Sequence, residues 1–169
     1  MGTWNYGRPR RLALGAALAV ALTGATRPAN GLPPPYRPSA ARVPACANAG
    51  RAIALPARFP AQFPLPLHTA ITSQQPREGG FMIGGIKPAH SAGGVLVSGI
   101  VPATDVAAAA HFFLATLPRA GFSVVMSEVD TPNDSEITFE GRGYLGRAAL
   151  LAIADCPHAI ILSVFTERS

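Results

Sequence analysis

Residues 104–121, TDVAAAAHFFLATLPRAG, decide the fold because they form the clearest helical pattern in the chain. Apolar residues recur at four, three and four positions, which places them on one helical face: Val106, Ala110, Phe113 and Leu117. Thr104-Asp105 suits the N-cap, and Gly121 suits the residue that ends a helix. We therefore predict one main helix over residues 104–120.

Short strand patterns surround this helix. They lie before it at 67–71, 81–86 and 95–101, and after it at 122–129, 135–140, 147–155 and 159–166. The segment 147–155 is apolar throughout, and we favour a strand over a short helix there. Turn-forming residues separate the strands, at 75–79 and 131–134 among others. The prediction is an α+β fold, an antiparallel sheet of about five to seven strands with helix 104–120 packed on one face.

The first 25 residues have the pattern of a secretory signal. Three arginines (8, 10 and 11) precede an uncharged apolar run over 12–22, and Thr23-Gly24-Ala25 follows with small residues. The run is shorter than the roughly 20 residues that a membrane-spanning helix needs. We therefore predict a cleaved signal peptide over 1–25. An uncleaved N-terminal anchor is the alternative, and Arg10-Arg11 weakly suggests twin-arginine export.

Proline dominates the segment that follows. Residues 26–66 contain ten of the seventeen prolines, which excludes a long helix or a central strand there. We predict a proline-rich tether over 26–50 and a single domain over 51–169. Within that domain, 51–66 places Phe59 and Phe63 each before a proline, and we expect an extended strap pressed onto the fold.

The charge balance argues against a nucleic-acid partner. The chain has 14 basic and 9 acidic residues, but six of the basic residues precede residue 51. The domain itself is then slightly acidic and lacks the basic face that nucleic acids require. A single lysine, Lys87, among thirteen arginines suggests a GC-rich bacterial gene.

Two cysteines, Cys46 and Cys156, occur in a chain that the leader predicts to be exported. An even number of cysteines in an oxidising compartment favours a disulfide. We therefore predict a Cys46–Cys156 bridge. Two free thiols or a metal pair are the alternatives, and both lack ligands nearby in the sequence.

Residues 141–146, GRGYLG, match the G-x-G-x-x-G pattern of dinucleotide-binding sites. The chain has only 23 further residues, too few for the additional parallel strands of such a fold. We favour a glycine-rich hairpin turn and expect no cofactor.

Five acids between residues 128 and 140 have no intervening basic residue: Glu128, Asp130, Asp134, Glu136 and Glu140. Their spacing does not match an EF-hand loop. We favour a solvated hairpin over a weak cation site and predict no metal.

The histidines lack catalytic or metal-binding spacing. Asp155 and His158 flank Cys156, and a hydrolase could combine them with a distant serine such as Ser91 beside His90. Nothing in their spacing requires this, so we predict no catalytic residues.

Phe112 lies about 120° from the apolar face of the helix. It either folds back onto the sheet edge or remains exposed as a partner contact.

These patterns predict a small exported α+β domain, secreted or in the periplasm or cell envelope, that acts as a non-enzymatic binding module. The partner would be a protein or another envelope component, recognised through the sheet face or the helix. A secreted hydrolase and a structural envelope protein anchored by an uncleaved signal remain the alternatives.

Overall fold

The computed structural model describes residues 45–48, 50–78 and 93–169. The predicted signal peptide (1–25), nearly all of the tether (26–50) and the predicted strand 81–86 lie outside these residues. Within the described part of the chain, no helix is long and apolar enough to cross a membrane.

Along the chain, two strands are followed by a helix and then by four more strands. They are β1 (Ala70–Arg77), β2 (Gly94–Val101), α1 (Val106–Thr116), β3 (Ser123–Thr131), β4 (Asp134–Gly141), β5 (Tyr144–Ala152) and β6 (Ile160–Arg168). Short 3-10 helices lie at Ala45–Ala47 and Pro118–Ala120, the second directly after α1.

The six strands form one antiparallel sheet in the order β1-β2-β6-β5-β4-β3. The connection through α1 carries the chain from β2 to the far edge of the sheet, where β3 lies. Strands β3 to β6 then return as a meander, and β6 closes the sheet by pairing with β2. The predicted α+β fold, with its helix on one face of an antiparallel sheet, is confirmed.

The α-helix begins at the predicted N-cap and ends at Thr116, and the 3-10 helix Pro118–Ala120 continues it to the predicted stop at Gly121. The Asp105 carboxylate accepts a hydrogen bond of 2.7 Å from the Ala108 amide, so it caps the first turn. Gly121 adopts φ 86°, the left-handed conformation that favours glycine after a helix. The predicted apolar face is buried at all four of its positions: Val106, Ala110, Phe113 and Leu117.

The main core lies between α1 and one face of the sheet. Ile137, Phe139, Leu150 and Leu162 are fully buried on that face, because side chains alternate along each strand and these residues share one side. Residues 147–155 lie mostly in β5, which confirms the strand interpretation of this apolar segment.

The segment before β1 contributes to the same core. The Phe59 amide donates to the Pro56 carbonyl, and the Phe63 amide donates to the Pro60 carbonyl, so two successive turns repeat the same hydrogen bond. Phe59 and Phe63 are both 4% exposed. The Phe63 ring centroid lies 5.1 Å from that of Phe139.

Two boundaries differ from the sequence predictions. Gln75-Pro76-Arg77, predicted in a turn, belong to β1, where Pro76 is opposite Val95. β1 is an edge strand, and an edge is where a sheet tolerates a residue without an amide hydrogen. β1 begins only at Ala70, so Leu67 precedes the strand and is 69% exposed.

Candidate functional site

The predicted disulfide is present. Cys46 and Cys156 are bonded, with their Cα atoms 5.5 Å apart and 110 residues between them in sequence. Cys156 lies in the connection between β5 and β6, where its amide donates to the Ile153 carbonyl. The bridge thus fixes the start of the described chain to the turn before the last strand.

A small apolar cluster surrounds this bridge on the sheet face opposite α1. Cys156 and Ala159 pack there with Ile100 and Ile161, which are cross-strand partners on β2 and β6. The second face of the sheet is therefore partly apolar, and the disulfide anchors the chain at one end of it.

The two polar residues beside Cys156 do not form a catalytic pair. Asp155 and His158 are both exposed and adopt positive φ angles of 57° and 67°, as turn residues do. No hydrogen bond joins them to each other or to another residue in the described ranges. Ser91 and His90 lie outside those ranges, so the hydrolase alternative remains a prediction.

The glycine motif at 141–146 forms the hairpin turn that the sequence favours over a dinucleotide site. Arg142 and Gly143 have φ angles of 54° and 74°, the two left-handed residues of a type I′ turn, and β4 pairs with β5 on either side. A Cβ atom on Gly146 would lie 2.5 Å from the Phe139 ring. This last glycine of the motif therefore makes room for a core side chain, and a strand rather than a helix follows the turn.

The acidic residues lie on the β3–β4 hairpin. No group of three possible metal ligands is close enough to hold an ion among the residues with described structure. Glu136 accepts a hydrogen bond from Arg147 on β5 at 2.9 Å, and the two side chains form an ion pair. Glu128 lies directly opposite Glu136, so the hairpin carries like charges side by side.

A shallow cleft lies between the strap and one end of the sheet. It measures about 390 Å³ and is lined by Ala57 and Arg58 of the strap together with Val95, Thr166 and Arg168, among others. A neighbouring cleft of about 370 Å³ continues past Arg58 toward β1. Thr166 is 1% exposed, and its hydroxyl has no hydrogen-bond partner. The Thr166 hydroxyl is closed off from solvent, and Glu167 also lines the cleft, so the lining carries both signs of charge beside apolar side chains.

Strand β3 is the most exposed element of the sheet, although four of its nine residues are apolar. Val125, Met126 and Val129 are 45%, 42% and 66% exposed. The pairing with β4 skips between Val124 and Met126 and again between Glu128 and Thr131, so each irregularity adds one residue to β3. Val125 and Val129 fall in these bulges and lack a partner on β4.

Sequence reasoning identified β3 as a strand but did not identify it as an exposed edge. The available signal was the alternation of Glu128 and Asp130 with Ser127 and Val129, which is unusual for a strand buried on both sides.

Phe112 is half-buried at the rim of the core. Its ring meets that of Phe113 edge to face, with centroids 5.4 Å apart. Its role as a partner contact remains a prediction.

No family model, curated protein or solved structure matches this chain. The candidate sites therefore depend on their own geometry.

Proposed function

We propose that the chain is an exported, disulfide-tied binding module that acts outside the cytoplasm without catalysing a reaction. The Cys46–Cys156 bridge is the observation that carries the proposal. Disulfides of this kind persist in oxidising compartments such as the periplasm or the extracellular space. The leader pattern over 1–25 independently points to the same location.

A binding role is supported by the surface of the domain. Strand β3 presents apolar side chains at a sheet edge, which is a common place for one protein to recognise another. The residues that a hydrolase would use next to Cys156 are exposed turn residues without mutual contact. Recognition therefore explains the described surface better than catalysis does.

The location is tested by the intact mass of the native protein from fractionated cells, measured after thiol blocking, with and without reduction. We expect a product that begins near Thr26, is found outside the cytoplasm and has no thiol available before reduction. A full-length product with two free thiols would overturn the export proposal. A full-length product in the membrane fraction with the disulfide intact would instead favour the anchored envelope protein.

The absence of catalysis is tested separately with the purified oxidised protein and generic ester, peptide and glycoside substrates. We expect no turnover of these substrates by the parent protein, and therefore no difference between it and a His158→Ala variant. Turnover that this substitution, or His90→Ala, abolishes would favour the secreted hydrolase.

A further inference from the structure

The two edges of the sheet differ in how they are protected. At the β1 edge, the Ile53 amide donates to the Ile71 carbonyl at 2.7 Å, so the strap pairs with part of this strand. Pro76 removes a donor farther along β1. At the other edge, β3 makes no backbone hydrogen bond outside its pairing with β4 in the described ranges. The outward amide and carbonyl groups of β3 are therefore unpaired in the described ranges, and Met126–Glu128, the regularly paired stretch between the two bulges, is where another strand can pair.

The side chains of β3 have the composition of a binding strand. Val125 and Val129 lie at the bulges and are 45% and 66% exposed, and Met126, 42% exposed, lies between them. An extended segment placed beside β3 would cover these side chains and satisfy the free backbone groups together.

The negative charge of the β3 edge favours a basic binding partner. Glu128 and Asp130 on β3 are exposed, and neither forms an ion pair in the structure as described. The chain carries no basic residue from 120 to 141. Arg147 on β5, two strands from β3, is paired with Glu136. A second copy of the chain would bring its own Glu128 and Asp130 to the same edge, and this repulsion disfavours self-pairing.

We infer that β3 receives an extended, basic segment of a partner protein, which adds to the sheet as a further strand beside Val125–Val129. Lysine or arginine at alternate positions of that segment would face Glu128 and Asp130. This inference rests on the proposed binding function and names the chemistry of the partner.

The test uses the oxidised full chain and a phage-displayed library of random peptides of nine residues, the length of β3. We expect the selected peptides to carry lysine or arginine at alternate positions, with apolar residues between them. Synthetic copies with glutamate at the basic positions should bind at least about tenfold more weakly. Amide hydrogen exchange should show new protection along β3 when a basic peptide is bound.

A charge reversal supplies the matched control. Glu128→Lys with Asp130→Lys should weaken binding of the selected peptides by about tenfold or more. Glu78→Lys with Asp155→Lys makes the same change in net charge at exposed positions outside β3 and β4, and should change binding by less than about twofold. If the first variant fails to fold, Glu128→Gln with Asp130→Asn removes the same charges more gently and should also weaken binding.

Backbone pairing is tested with two peptides that are N-methylated at alternate sets of amides. Only one set faces β3 in an added strand, so one pattern should abolish binding and the other should not. Equal effects of the two patterns, no enrichment of basic residues, or dimerisation of the chain through β3 would each overturn the inference. The cell-fractionation result would stand in any of these cases, so failure of the inference is distinguishable from failure of the export proposal.

Discussion

Thr166 and Thr69 are two buried threonines whose hydroxyl groups differ in hydrogen bonding. Both are 1% exposed. The Thr69 hydroxyl donates to the Pro66 carbonyl at 2.7 Å, whereas the Thr166 hydroxyl has no partner. A buried hydroxyl without a hydrogen bond loses its interactions with water and gains none in return. The two residues therefore differ in what their oxygen atoms contribute to folding.

We predict that Thr166→Val raises the free energy of unfolding by about 1 kcal/mol, because a methyl group replaces an unsatisfied hydroxyl. Thr69→Val should lower it by about 1 kcal/mol, because it removes a satisfied bond and leaves the Pro66 carbonyl without this donor. Urea unfolding of the two variants beside the parent protein measures both effects. A destabilised Thr166→Val protein would mean that this hydroxyl has a partner in solution.

At the scale of elements, the strap behaves as part of the core although it contains no helix or strand of its own. Phe63 has ring contacts with four other phenylalanines: Phe59, Phe113, Phe122 and Phe139. These rings come from the strap, from α1, from the residue before β3 and from β4. The strap thus joins both layers of the fold through a single side chain.

We predict that Phe63→Ala lowers the free energy of unfolding by about 3–5 kcal/mol, because it leaves a cavity between α1 and the sheet. Leu67→Ala, directly after the strap and before β1, is the control. Leu67 is 69% exposed, so its truncation should change stability by no more than about 0.5 kcal/mol. Chemical denaturation provides the comparison, and similar losses in the two variants would contradict a core role for the strap.

At the scale of the whole molecule, the disulfide is a covalent link between residues far apart in sequence. It connects residues 110 apart, and thereby links the chain before the strap to the turn before β6. Cross-linking over this distance restricts the conformations of the unfolded chain and so favours the folded state.

We predict that Cys46→Ser with Cys156→Ser lowers the free energy of unfolding by about 2–5 kcal/mol. Wild-type protein that has been reduced and alkylated should show the same loss, which controls for the serine side chains. Urea unfolding midpoints of the three samples give the measurement. Coincident midpoints for the oxidised protein and the variant would show that the bridge does not stabilise the fold.

The sequence alone determined the features that depend on neighbouring residues. The helix followed from its apolar spacing, from Asp105 and from Gly121, and the hairpin at 142–143 followed from its glycine. The cysteine pairing followed from counting, because two cysteines allow a single internal bond. Each of these inferences uses local conformational preference or elimination, so no knowledge of distant contacts was needed.

Only the tertiary structure decided which strands lie at the edges. The position of β6 between β2 and β5 places β3 at an outer edge, and no local pattern specifies that order. The bulges that expose Val125 and Val129 depend on the register with β4. The strand β1 likewise extends through Pro76 because it too lies at an edge. Strand order and register arise from contacts between residues far apart in sequence, and these contacts determine which surface remains open to a partner.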